Sequence, residues 1–169
     1  MKIAILGYSG SGKSTLCKHL STYYKVPHLY LDTVKFLPNW IVRSDEERIK
    51  ILDEFLENDS WVIDGNYSRF RQKERLDEAD KIIFLNFNRL SCLFRAYKRM
   101  FTYKNKVRDS ISDGCEEKID FKFFWWLLHS GRKKKKRDQF KKIINSYKDK
   151  IVVINNQKEL DSFLQDYKI

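Results

Sequence analysis

Residues 2–15 read KIAILGYSGSGKST, and the fold is decided here. Residues 2–6 are a short apolar run that enters a glycine-rich loop, the pattern of a strand buried on both faces of a parallel sheet. From Gly7 to Ser14 the sequence fits GxxxxGK[ST] throughout. Each part of that pattern has a chemical reason. In the loop Gly7-Tyr8-Ser9-Gly10-Ser11-Gly12, glycines let backbone N–H groups turn inward and approach phosphate oxygens closely. Lys13 puts positive charge on the outer phosphates, and the Ser14 hydroxyl can ligate Mg²⁺. The helix N-terminus that follows favours the anion, and Thr15 adds a hydroxyl contact. A glycine- and serine-rich turn with a chance match is the bland alternative. Against it, the motif follows a buried-strand pattern and opens an amphipathic helix, the context that confirms it. The stretch therefore reads as an ATP site built from Gly7, Ser9, Gly10, Ser11, Gly12, Lys13, Ser14 and Thr15.

Working outward, residues 13–24 place Leu16, Cys17, Leu20 and Tyr23 or Tyr24 on one helical face. Residues 28–31 form a short strand ending in Asp32, and Pro38 and Trp40 sit in a loop. Residues 44–58 carry the clearest helix signal, with Ser44 and Glu47 as a capping box and Ile49, Leu52, Phe55 and Leu56 as its buried stripe. Residues 61–63 form a strand ending in Asp64-Gly65, and residues 81–87 (KIIFLNF) another. Residues 90–101 read as a helix with Leu93, Phe94, Tyr97 and Phe101 inward. Residues 151–154 are a last strand and 158–167 a last amphipathic helix. Strands and helices alternate throughout, which predicts a parallel sheet covered on both faces. The expected architecture is a three-layer α/β/α P-loop domain over residues 1–169 with five parallel strands. An acceptor-binding segment is expected at about 33–60. A polar, basic, lid-like insertion is expected at about 102–137, interrupted by FKFFWWLL.

Composition narrows the class. The chain has 169 residues, 42% hydrophobic and 15% aromatic, which suits one domain with a real core and argues against disorder. A formal charge of +11 favours anionic partners without choosing among nucleotides, nucleic acid and membrane surfaces. Cys17, Cys92 and Cys115 lack metal or disulfide spacing and read as reduced thiols. His19, His28 and His129 are scattered and read as structural. The apolar start is too short for a signal peptide, and the longest apolar run is far short of a membrane span, so a cytoplasmic protein is expected.

Among P-loop proteins, a GTPase of the Ras kind needs DxxG and NKxD. Here Asp64-Gly65 is only DG, and residues 155–158 read NNQK. Small-molecule kinases fit the length, and their chemistry is positioning and charge neutralisation. Asp64, at a strand C-terminus facing the ligand crevice of a parallel sheet, is the candidate for holding Mg²⁺ together with Ser14. Asp32 has the same placement. It reads either as the group that orients or deprotonates an acceptor hydroxyl or as a turn or helix-cap aspartate. Arg95 and Arg99 share one helix face before the insertion. Arg132 and Arg137 bracket the run RKKKKR. Such arginines can clamp phosphates. Lys133 to Lys136 read as a solvated face, and Trp125 and Trp126 as packing residues.

Taken together, GYSGSGKST, LYLDTVKFLPNW, WVIDGNYS and ADKIIFLNFNRLSCLFRAYKR resemble the DNA topology modulation proteins of the FlaR type, a branch related to adenylate kinases and other nucleoside monophosphate kinases. The resemblance covers residues 1–101 well and the remainder more loosely. It implies an ATP- and Mg²⁺-dependent phosphotransferase. It matches Asp64 to the metal-organising aspartate, Arg69 to an arginine on the acceptor phosphate, and Arg95 and Arg99 to the pair that meets adenine and phosphate. Arg132 and Arg137 fall where the lid's closing arginines stand. DGNYSR is one residue longer than the DGFPR-like segment of adenylate kinases, and TVKFLPNW also differs, so the acceptor stays open, a nucleoside monophosphate among the options. The competing reading is a basic, nucleotide-regulated protein that contacts DNA. Its binding would weaken steeply with salt, and no sequence-reading motif accompanies it.

Overall fold

The computed structural model describes residues 1–102, 110–112, 115, 125 and 127–167. Much of the 102–137 insertion, Trp126 included, lies outside these residues. In chain order the elements are β1 (Lys2–Gly7), α1 (Lys13–Tyr24), β2 (His28–Tyr30), α2 (Leu31–Lys35), α3 (Asp45–Leu56), β3 (Trp61–Asp64), α4 (Gln72–Glu78), β4 (Lys81–Leu85), α5 (Arg89–Thr102), α6 (Lys134–Ser146), β5 (Ile151–Ile154) and α7 (Gln157–Gln165). Every strand pair is parallel, in the order β2-β3-β1-β4-β5. The chain steps from β1 to one side for β2 and β3, then to the other for β4 and β5. Crossovers in those two directions, of the right-handed kind parallel strands favour, place helices on both faces, and the fold is P-loop kinase-like α/β.

The central strands are apolar along their length because neither face meets water. Ile3 to Leu6, Trp61 to Ile63 and Ile82 to Leu85 are all buried. Register then decides where the chemistry falls. Ile5 and Tyr30 both pair with Asp64, and Gly7 pairs with Leu85. The C-terminal ends of four strands therefore come level, and the loops that leave them share one crevice.

Sequence periodicity and structure agree on α1, on the capping box of Ser44 and Glu47 at the start of α3, and on β5. They differ in instructive places. The second strand ends at Tyr30, and Asp32 lies in the first turn of α2, not on a strand end. Neither α4 nor α6 is among the helices expected from sequence, although along α6 Phe140, Ile143, Ile144 and the C-cap Tyr147 recur at helical spacing and pack against the core. In α4 the buried side chains are Gln72, Arg75 and Leu76, so polar residues make the inward face. The first turn of α6 is all lysine and arginine, and Phe140 alone is fully anchored, packing 4.7 Å from Phe84 and 5.3 Å from Tyr8 between ring centroids.

The largest difference is in α5. The expected inward set included Phe94, Tyr97 and Phe101, yet these are 69%, 54% and 57% exposed. Cys92 and Ala96 are the buried residues instead, with Leu93 half-buried against the core. The cause is close approach. A Cβ on Gly10 would sit 2.4 Å from the Cys92 carbonyl oxygen, so the phosphate loop runs directly against α5. Only small residues fit that face. Among the described residues, no helix is long and apolar enough to cross a membrane.

Candidate functional site

The crevice at the strand ends is a cleft of about 800 Å³. Its floor is the loop after β1. Gly10 and Gly12 have φ of 76° and 96°, the left-handed region that glycine enters without strain. Gly12 also caps α1, so the loop delivers its N–H groups to a helix N-terminus. Ser9, Gly10, Gly12, Lys13, Ser14 and Thr15 line the cleft. Ser11 is fully buried beneath it, its carbonyl accepting from Arg95 Nη1 at 3.2 Å. Lys13 Nζ donates to the Tyr8 carbonyl at 3.2 Å, which holds the ammonium across the loop mouth.

Gly10→Ala is expected to disturb this floor more than a surface change would. The added methyl meets backbone, not a movable side chain, and the left-handed conformation costs an alanine ~1–2 kcal/mol before that clash. A fall in melting temperature of about 5 °C or more, read by calorimetry, is the expected result.

Asp64 sits at the end of β3, and its Oδ2 accepts from the Ser14 hydroxyl at 2.6 Å. A hydroxyl and a carboxylate meeting at the foot of a phosphate cradle are the oxygen donors a hard divalent cation takes, so the residues present fit Mg²⁺. Asp64 also helps push the neighbouring Cys17 thiol upward, although burial is the larger cause, which keeps that thiol protonated and inert.

The segment after β3 positions the rest, and its residues escaped the sequence reading. Asn66 clamps Gly7 with both ends of its amide: Nδ2 donates to the Gly7 carbonyl at 2.6 Å, and Oδ1 accepts from the Gly7 N–H at 3.1 Å. The Tyr67 hydroxyl donates to Asp32 Oδ1 at 2.6 Å. Burial, then the charge of Asp32, raises the Tyr67 phenol, so it stays a donor. Arg75, 0% exposed, holds this turn from behind. Its guanidinium donates to the carbonyls of Phe70 at 2.8 Å, Tyr67 at 3.1 Å and Gly65 at 3.5 Å. Burial lowers the Arg75 pKa to about 10, which still leaves it charged at neutral pH. An asparagine two residues past the strand-end aspartate was the one available signal for the clamp. Nothing local marks Arg75, because its three acceptors are backbone.

Beside the phosphate loop, Asp32, Lys35, Phe36, Trp40 and Tyr67 also line the cleft and come together. Lys35 Nζ lies 4.6 Å from the Phe36 ring and 4.8 Å from the Tyr67 ring. Phe36 and Trp40 meet edge-on at 5.2 Å. Asn39 and Trp40 are both left-handed, at φ 60° and 62°, a strained pair held by the insertion. The Trp40 N–H donates to Cys115 Sγ at 3.2 Å, and the Ser112 hydroxyl donates to the Phe36 carbonyl.

The arginines divide. Arg95 and Arg99 both line the cleft. Arg95 packs 4.2 Å from the Phe87 ring and bonds Ser11 and Gln157. Arg132 is also a lining residue but is buried, 3.7 Å over the Tyr8 ring and donating to the Phe87 carbonyl at 2.6 Å and Cys92 Sγ at 3.2 Å. It braces the loop from the side. Arg69 and Arg137 are exposed and do not line the cleft. Lys136, read from sequence as part of a solvated run, points the other way. It lines the cleft, and its pKa is lowered by burial and then by Lys13. Seven basic side chains face two acidic ones, Asp32 and Asp64, in this cleft, a balance suited to a polyphosphate.

Among solved structures, the fold is similar to that of a deoxyadenosine kinase from M. mycoides with the products dCMP and a flexible dCDP bound. The likeness has a TM-score of 0.52 at 15% identity and covers 98% of each chain. No protein-family model matches this sequence, and no curated protein matches it.

Proposed function

We propose that the protein is an ATP-dependent phosphotransferase that moves the γ-phosphoryl group of ATP to a nucleoside-type acceptor. The observation that carries this is the make-up of the cleft. A glycine-lined cradle with Lys13 and the Ser14–Asp64 pair shares this cleft with a second cluster, Asp32 among Lys35, Phe36, Trp40 and Tyr67. Aromatic faces suit a flat base, and a carboxylate held by a phenol suits an attacking hydroxyl. Lys35 can meet an acceptor phosphate, so nucleosides and their monophosphates both fit the chemistry of this cluster. The likeness to a deoxyadenosine kinase supports the same direction. The segments LYLDTVKFLPNW and WVIDGNYS resemble those of the FlaR-type proteins, which is in keeping with this reading.

In this reaction the acceptor oxygen bonds to the γ-phosphorus as the bond to the ADP oxygen breaks. Where the acceptor is a nucleoside, its hydroxyl proton passes to Asp32, whose carboxylate is oriented by Tyr67, whereas a monophosphate attacks through a phosphate oxygen that needs no base. Lys13, Arg99 and Lys136 offset charge on the phosphoryl oxygens, with Arg95 and Arg132 bracing the loop and helix that carry them. Ser14 and Asp64 would hold Mg²⁺, which when bound neutralises the outer phosphates.

The test is ADP formation from ATP and Mg²⁺ across a panel of nucleosides and nucleoside monophosphates. One acceptor class should raise ADP release well above the acceptor-free rate, and for a nucleoside Asp32→Asn should cut that gain by about 10²–10⁴-fold while leaving the ATP-induced rise in melting temperature in place. A panel with no acceptor dependence would overturn the assignment.

A further inference from the structure

The outward face of α5 has no counterpart in the proposed chemistry. Leu90, Phe94, Tyr97 and Phe101 are spaced by four, three and four residues, which sets them in one line along the helix. They are 75%, 69%, 54% and 57% exposed. The inward face, Cys92 and Ala96, lies directly opposite, so the helix is apolar on two sides. Tyr97 and Phe101 pack edge-on, centroids 4.7 Å apart, which keeps the surface ordered. Large side chains were displaced outward by the phosphate loop, but the close approach of Gly10 does not require them to be aromatic. Lysine or glutamate would serve equally well on a face that stayed in water.

We propose that this stripe is the self-pairing surface of a two-fold dimer, with α5 of one copy crossing α5 of a second antiparallel to it. The stripe is short and centred near Tyr97, so a two-fold axis there sets each half against the other half of the second copy. The area agrees. Buried aromatic side chains cover ~150–250 Å² each, so the exposed fractions amount to roughly 900 Å² over two copies. With the flanking residues this reaches the ~1,000 Å² that a specific interface needs. The pairing has a consequence for the cleft, because Arg95 and Arg99 stand on another side of this same helix.

Charge separates this partner from others. The rim carries exposed Arg89 and Lys98, so two copies meet with like charge at the edge. Salt screens that repulsion. Self-association should therefore tighten as salt rises, whereas docking to an acidic protein or an anionic membrane would weaken.

Sedimentation velocity on the full chain is the test. The expected result is a reversible species of twice the 20.4 kDa chain mass, with a dissociation constant that falls at least twofold between ~50 and ~500 mM NaCl. Phe94→Glu with Phe101→Glu should leave only monomer with an unchanged far-ultraviolet spectrum. As a second reading, Tyr97→Cys should give an oxidised dimer on a denaturing gel, and Lys158→Cys should not. A chain that stays at 20.4 kDa up to ~100 μM overturns the proposal, whether the stripe is then covered by the chain's own insertion or by another partner. So does a dimer that survives the double substitution.

Discussion

Lys13→Ala is expected to lower ATP-dependent ADP formation by about 10³-fold while moving the melting temperature by no more than ~2 °C. The two readouts separate because of where the ammonium stands. Lys13 is half-exposed, and among the described residues its hydrogen bond is to the Tyr8 carbonyl of its own loop, so its removal opens no cavity and strands no charge. Its contribution belongs to the reaction, in which charge builds on the outer phosphates inside a cleft where screening by water is reduced. Removing Lys13 also relieves Lys136, whose pKa it helps lower. The other cations of the cleft remain in place, which is why a remnant of ATP binding should persist in calorimetry. If Lys13→Ala kept more than a tenth of the activity, the cradle would not be the phosphate site.

Arg75→Ala is expected to give the largest loss of stability, about 3–5 kcal/mol, with a fall in melting temperature of roughly 10 °C. The guanidinium is wholly buried and supplies donors to three carbonyls of one turn. Truncation leaves those oxygens without donors and opens a cavity behind Gly65. Arg75→Lys should recover little, because an ammonium cannot span acceptors that a planar fork reaches at once. The effect should extend to activity. The same turn carries Asn66, which clamps Gly7, and Tyr67, which holds Asp32. Thermal melts and ADP formation measured on one preparation would check both arms. A variant as stable as the parent would remove Arg75 from this role.

How much of this was legible beforehand follows from how local each cause is. The phosphate cradle was readable because its glycines, Lys13 and Ser14 act through their own backbone and their own helix start. Strand C-termini were readable because a two-sided sheet demands unbroken apolar runs, and Asp64 follows one of them directly. The bracing role of Arg132 was not, because it depends on the Tyr8 ring and the Phe87 carbonyl, which only folding brings near. Lys136 was hidden in a run of like residues. Its neighbours in sequence face water, and the packing of Phe140, Ile143, Ile144 and Tyr147 against the core sets the rotation of α6 that turns it into the cleft.

By itself, then, the sequence determined the parallel sheet, the phosphate loop and the place of Asp64 at a strand end. Periodicity and glycine positions encode these within a few residues. The tertiary structure decided which cations enter the cleft, which residues brace it and which way α5 turns. The last case shows the physical reason most clearly. Helical periodicity marks a face as apolar but not which neighbour it meets. The phosphate loop's approach to Cys92 left room only for small side chains and sent Phe94, Tyr97 and Phe101 to the surface.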